Sequence, residues 1–495
     1  MKLWKAALVA LWLSCLGVLA FRTRAVVAPG GAAPAQSPRS VLSRLADPRN
    51  PSHTGRDEWF GLYLQGTKVG YSHSTLRPAG AKWIFEDTLR WDLVAQGHAR
   101  RVEMEQRGEL AEDYSLLRVS FKLVSEGAKF ELKAFTDGQE IKAKLSMGSS
   151  EQDLVIPVSG PLYLAGSLYP YLERMGLREG DRHWLLVFDP STQGNTTLEV
   201  AVGGREEFDV GGARRKLYRV DQTLLGVTTT GWVDEKARLW REQTPEGLLL
   251  VRETEEGAQA GITADSPDVI ELFSVPVARE LPSPASLHEL KLRISGLPAD
   301  FGPLGDFRQT LQGESLVVKI EALPPEAGFR LPYRLGGQEE NLKDEPLLPA
   351  GSPRLKDLAE KILGNGREPV QGAKLLTSWV YHNLEKENVV GIPSALEALE
   401  TKRGDCNEHT MLLVALARAA GLPARPVAGL VYLDGRFYYH AWAELFVGRW
   451  VTADPTFGQI PADVTHLQLA RGSLAAQTRI TNVVGRIRLE IEDFR

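Results

Sequence analysis

From residue 59 to about residue 256 the chain repeats one pattern, short runs of β-branched and aromatic residues each closed by a turn signal. Trp59-Phe60-Gly61-Leu62-Tyr63-Leu64 is followed by Gln65-Gly66 and then Val69-Gly70-Tyr71, and later runs are interrupted at Asp137-Gly138, Gly203-Gly204 and Gly211-Gly212. Such residues favour a pleated, half-buried backbone, and glycine supplies the positive φ that tight hairpins need. So long a succession of strands predicts a large antiparallel sheet or open barrel. One exception runs from residue 166 to 176, where Leu168, Leu172 and Met175 recur at helical spacing. Trp59, Trp91, Trp184, Trp232 and Trp240 read as core side chains, and no catalytic constellation is evident in this region.

At 495 residues the chain exceeds what one hydrophobic core organises, so further domains are expected. A second β-like stretch covers about 268–334, with Ser315-Leu316-Val317-Val318-Lys319-Ile320-Glu321 as its clearest strand, and Pro324, Pro325, Pro332, Pro346, Pro349 and Pro353 mark a boundary. The expected organisation is a targeting segment at 1–24, a Pro/Gly/Ala/Ser-rich tether at 25–57, a β-rich domain at 58–260, a second at 261–345, and a final unit at 350–495. In the targeting segment Lys2 and Lys5 precede sixteen uncharged residues, and Arg22 and Arg24 close the run. At 1.5 Å per residue a helix of that length spans about 24 Å, so the segment reads as an uncleaved membrane anchor, with cleavage after Ala20 as the alternative. Either reading places the body outside the cytoplasm, in a periplasm or cell envelope, or secreted if cleavage occurs. The formal net charge of −5 argues against a nucleic-acid partner. Only Cys15 and Cys406 are present, so the body beyond the targeting segment has one thiol and no internal disulfide.

The final unit opens with helical patterns: Leu355, Leu358 and Ile362 share one face, and Leu375, Trp379 and Asn383 share another. Ser394-Ala395-Leu396-Glu397 has capping-box spacing and predicts a short helix. Gly404-Asp405-Cys406-Asn407-Glu408-His409 then leads into Leu412, Leu413, Leu416 and Ala420, with a stop at Gly421-Leu422-Pro423, which sets Cys406 in the first turn of a helix. Unpaired amides and the helix dipole there favour a thiolate, whereas Asp405 and Glu408 oppose it, so catalysis requires an imidazole. His409 reads as structural. His440 is the better partner: the strand after Asp434-Gly435 puts His440, Trp442, Glu444 and Phe446 on one face. A three-residue loop at Val447-Gly448-Arg449 would pair Phe446 with Trp450, Trp442 with Asp454 and His440 with Thr456. Asp454 would then lie diagonally from His440, where it can orient the imidazole.

Together, Gly-Asp-Cys-Asn-Glu-His (404–409), Ala-Arg-Ala-Ala-Gly-Leu-Pro-Ala-Arg (417–425), His-Ala-Trp-Ala-Glu (440–444) and Asp-Pro-Thr-Phe-Gly-Gln (454–459) resemble the bacterial transglutaminase-like core in order and spacing. The hairpin at 66–71 and Gly231-Trp232-Val233-Asp234 resemble the β-rich modules that accompany some exported members. The resemblance implies a large antiparallel β-rich N-terminal region followed by an α+β papain-like transglutaminase core. It further implies a catalytic Cys406 nucleophile, His440 as general base and acid, and Asp454 as orienting carboxylate. The Cys406 amide is a candidate oxyanion donor, Trp379 is a suggestion for the second, and Trp442, Phe457 and Gln459 read as supports. No cofactor is expected, and a metal site is disfavoured because ligand spacings such as Cys-x-x-Cys are missing. The expected activity is acyl transfer from peptide or side-chain amides, giving a peptidase or amidase. Alternatives are a cross-linking transamidase and a noncatalytic envelope binding protein. Sequence leaves the oligomeric state open.

Overall fold

The computed structural model describes residues 55–495 apart from 126, 127, 149, 264, 265, 300, 390 and 473. The predicted targeting segment and most of the tether lie outside the described residues. No described helix is long and apolar enough to cross a membrane. The chain divides into two compact units, one holding most of residues 55–268 and the other most of 269–495.

The first unit is built on a fifteen-stranded sheet. From Arg56–Leu64 successive strands pair outward to an edge at Ser150–Pro157; the chain then restarts at the opposite edge with Leu162–Tyr163 and works back to Leu248–Glu253. That last strand pairs with the first, Trp59 opposite Glu253, so the two halves join along the chain's own beginning and end of the sheet. Hairpin chemistry explains the register: Leu64 faces Thr67 across Gln65-Gly66, both at positive φ (49° and 83°), the geometry that matches strand twist. Gly203-Gly204, expected to break a strand, instead lies inside Gly194–Val210, where pairing shifts between Val202 and Arg205 as a bulge. Alternate residues are buried, as in Glu140–Met147, where Ile141, Ala143, Leu145 and Met147 face inward. The predicted local helix is present as Leu168–Met175. Trp91 and Trp232 are core residues, whereas Trp59, Trp184 and Trp240 are half-buried.

Among the described residues the second unit holds two larger sheets, a two-stranded pairing of Glu385–Lys386 with Arg403–Gly404, and a group of helices. One sheet orders Val275–Pro276, Arg436–Phe446, Ala424–Leu433 and Leu467–Arg471, with Trp450–Ala453 also pairing with Arg436–Phe446. The other orders Gln309–Gln312, Ser315–Lys319, Glu289–Ser295 and Arg488–Phe494, so the C-terminal strand completes a sheet begun some two hundred positions earlier. The Cys406–Ala419 helix packs on Ala424–Leu433 and Arg436–Phe446 and is buried from Cys406 through Arg418. A helix buried along nearly its whole length belongs at a centre, and Pro353–Leu363, Pro369–Asn383 and Ala395–Thr401 pack against this one. Leu412, Leu413 and Leu416 are fully buried, each contributing about 2 kcal/mol.

Two local expectations change. Pro369–Asn383 buries Ala373, Leu376, Thr377 and Val380, so the stripe of Leu375, Trp379 and Asn383 lies one residue around from the packed face. Ser394 does begin the Ala395–Thr401 helix, but its hydroxyl makes no cap bond; the Ala395 amide donates instead to Leu347 O at 3.2 Å. A tertiary carbonyl thus satisfies the first free amide of the helix.

Candidate active site

The nucleophile candidate is set by its helix start. Asp405 is the N-cap of Cys406–Ala419, accepting from Asn407 N at 2.7 Å, while Glu408 Oε2 accepts from Asp405 N at 2.9 Å. This capping box holds the first turn rigidly. Gly404 is required just before it, because a Cβ there would fall 2.3 Å from Glu408 Cβ. Cys406 therefore occupies the first helical position, as its sequence context predicts. Burial, together with the Glu408 charge, pushes the Asp405 carboxyl up, and burial pushes Glu408 up too. Both acids hold protons to higher pH than exposed carboxylates do, which softens the repulsion they were expected to exert on a thiolate.

Cys406 Sγ is buried and in no disulfide, and it accepts from the Ala441 amide at 3.4 Å, immediately beside His440. Burial pushes the thiol up, with Asp405 adding to it and the Ala441 N–H opposing. Burial thus works against the helix-terminus effect and favours the thiol form.

His440 and Asp454 come together as the sequence implied, but by a different ladder. Phe446 pairs with Trp450 across the three-residue loop as expected, yet pairing stops at Ala443 with Ala453. Asp454 leaves the sheet and bridges to Gln459, with Asp454 N to Gln459 O at 2.8 Å and Gln459 N to Asp454 O at 3.0 Å. The carboxylate then meets His440 Nε2 through Oδ2 at 2.8 Å, both groups buried. Oδ1 accepts the amides of Thr456 at 2.6 Å and Phe457 at 3.0 Å. Phe457 stacks on the imidazole at 4.9 Å between centroids, and Trp442 lies beyond at 6.2 Å. With Nε2 committed to Asp454, Nδ1 is the nitrogen left for exchange with the thiol.

Residues 356–455 match the transglutaminase-like superfamily. This stretch is a transglutaminase-like domain. An uncharacterized protein of Haemophilus influenzae is 35% identical over 81 residues, covering 15% of this chain and 22% of that protein. One from Mycobacterium leprae is 28% identical over 129 residues, covering 23% and 45% respectively. The chain thus spans less than half the length of either curated relative. Among solved structures, a Cytophaga hutchinsonii protein provisionally described as a cysteine protease aligns over 42% of this chain and 85% of its own, at 16% identity and TM-score 0.26. A β-barrel-like protein of a domain of unknown function from Brucella abortus aligns over 40% and 94%, at 9% identity and TM-score 0.31.

Residues past the end of the matched transglutaminase-like segment complete the surroundings of Asp454. His466 Nε2 meets the same Oδ2 at 2.9 Å, and its Nδ1 lies 3.3 Å from Asp463 Oδ1. Sequence analysis singled out neither residue; an Asp-x-x-His spacing in a loop is a weak signal, and only the turn back from Gln459 brings it to the site. Gln459 has the supporting role expected of it, donating through Nε2 to Asp463 Oδ2 at 2.9 Å and accepting from the Asp463 amide at 3.0 Å. Arg308 braces the same loop from outside the matched segment, donating to Thr452 Oγ1 at 2.8 Å, Ala462 O at 3.1 Å and Asp463 O at 2.7 Å.

Burial would raise the Asp454 carboxyl, but His440 and His466 hold it far below the usual carboxylate range. His409 is held apart from this chemistry: Nδ1 bonds its own helix at Asp405 O, 2.7 Å away, and burial lowers its pKa to about 4. Its structural reading stands. Trp379 lies under the Lys402 ammonium, 4.6 Å from the ring centre. His440, Asp454 and His466 offer atoms within 4.8 Å of one another, the spacing of a metal site. Both imidazoles, however, point at one carboxylate oxygen at hydrogen-bond distance, so their point of convergence is that oxygen itself.

Proposed function

We propose that the protein is an exported acyl-transfer enzyme that cleaves peptide or side-chain amides, with Cys406 as nucleophile, His440 as general base and acid, and Asp454 as orienting group. The observation that carries this is the 2.8 Å bond between His440 Nε2 and Asp454 Oδ2 on the strand whose Ala441 amide touches Cys406 Sγ. Because burial favours the thiol form of Cys406, attack and proton transfer are coupled: His440 Nδ1 takes the thiol proton as sulfur bonds to the substrate carbonyl carbon. The Cys406 amide at the helix start is suited to the developing oxyanion. The imidazolium then gives its proton to the leaving amine, leaving an acyl-enzyme. Water attack returns the acid and the free thiol, whereas amine attack would give a transferred amide. Hydrolysis is favoured because water is always available to the acyl-enzyme.

The N-terminal apolar run of the sequence supports placement in the cell envelope, anchored by that segment, with a protein or peptide as substrate. A peptide-cleavage assay run beside labelled-amine incorporation, each with Cys406→Ala, tests the activity. Turnover that survives the substitution removes the proposal; incorporation exceeding cleavage moves it to the transamidase form. Cell fractionation tests location, and recovery with cytoplasmic markers overturns export.

A further inference from the structure

Asp454 carries two histidines on one oxygen, and only one of them is used by the mechanism above. We propose that His466, clamped between Asp454 and Asp463, is a cationic positioning residue that fixes Asp454 and limits the basicity of His440. This rests on the assignment of His440 as the base. Both ring nitrogens of His466 face carboxylate oxygens, Nε2 at 2.9 Å from Asp454 Oδ2 and Nδ1 at 3.3 Å from Asp463 Oδ1. A neutral imidazole has one donor; only the imidazolium can donate at both ends. Two buried carboxylates around one ring also require a compensating charge. Accordingly burial, which would lower the His466 pKa, is overcome by Asp463 and Asp454, and the pKa rises to about 9.

The surroundings define what this cation does. Charged or titratable groups near it are Asp454 and Asp463 of its own loop, His440 of the strand at a ring distance of 5.7 Å, and Cys406 and Lys386, whose charges couple to Asp454. Arg308 binds the main chain of Asp463 and pairs with Glu321, so it fixes the loop without neutralising the Asp463 carboxylate. Were His466 neutral, the Asp454 carboxylate facing His440 would be uncompensated. With His466 charged, Asp454 still orients the ring but raises its proton affinity less. The Asp463 carboxylate is held for the purpose, accepting from Thr465 N at 2.9 Å and Thr465 Oγ1 at 2.6 Å.

The test is histidine titration by NMR in the full chain carrying Cys406→Ala, with and without His466→Gln, which keeps a donor for Asp454 but no charge. Removing a cation at this separation should raise the His440 midpoint on the order of one to two pH units, and the acid limb of kcat/KM in the Cys406 protein should move up with it. A purely structural His466 would lower the melting temperature and leave that midpoint in place. An unchanged His440 midpoint, or a His466 ring neutral at pH 7 in the parent, overturns the proposal. Asp463→Asn gives a second variant if His466→Gln does not fold; it should bring the His466 midpoint down from about 9, and no movement there also overturns it. The titrations need no turnover, so they fail or succeed separately from the activity proposed above.

Discussion

The first unit's arginine–carboxylate pairs and the cluster around Asp454 in the second bury charge in different ways. In the first unit, Arg56 pairs with Glu173 of the Leu168–Met175 helix at 2.6 Å and Arg252 with Glu58 at 2.9 Å, cation to anion. Around Asp454, by contrast, titratable imidazoles share one carboxylate, and the neighbouring thiol and the Asp405 and Glu408 acids are all displaced from their ordinary pKa values. Arginine stays charged at any working pH, so an arginine–carboxylate pair holds a fold together and does nothing else. Histidine and cysteine exchange protons near neutrality, and concentrating them in a dry space makes chemistry available at a cost in stability.

Variants can break this contrast. Cys406→Ala should abolish turnover, a loss of at least about 10³-fold, and Asp454→Asn should cost about 10²–10⁴-fold by misorienting His440, both read as kcat with a peptide substrate. Arg56→Met, on the sheet side, should lower stability by about 3 kcal/mol in denaturant melts by leaving Glu173 unpaired. An Arg56→Met protein that keeps full stability would show that sheet ion pairs are not structural. Arg308→Met should do both, loosening the loop that carries Asp454 and Asp463, with kcat falling about tenfold alongside a reduced melting temperature.

A pH melt sharpens the contrast further. His466 has its folded pKa raised from about 6.5 to about 9, so its contribution is complete below pH 6.5 and is lost as pH rises through 9. Stability on the order of 2–3 kcal/mol should therefore disappear across that alkaline window, and His466→Gln should flatten the loss. His409, lowered to about 4, acts in the reverse direction: its contribution is present above pH 6.5 and is lost as pH falls toward 4. The smallest effect expected is Trp379→Phe, within about twofold in kcat, because its indole supports Lys402; a larger loss would revive it as an oxyanion donor.

Periodicity along the chain was enough to read the β-rich first unit, the Leu168–Met175 helix, the first-turn position of Cys406 and the loop that sets Phe446 opposite Trp450. These are local properties: alternation, hairpin residues and helix signals act over a few residues. Three expectations failed where a distant partner intervened. Ser394 makes no side-chain cap bond, the packed face of Pro369–Asn383 turned away from Trp379, and Asp454 left the ladder to bridge Gln459.

Sequence by itself singled out Cys406, His440 and Asp454 by motif, and the elements that carry them follow largely from short-range rules. Only the tertiary structure decided their charge states and the rest of the cluster. Burial that pushes up the thiol and the two carboxyls at the helix start, and the setting of His466 between two acids, arise where segments far apart in the chain exclude water together. Desolvation and through-space charge depend on who the neighbours are, and one-dimensional spacing does not encode them.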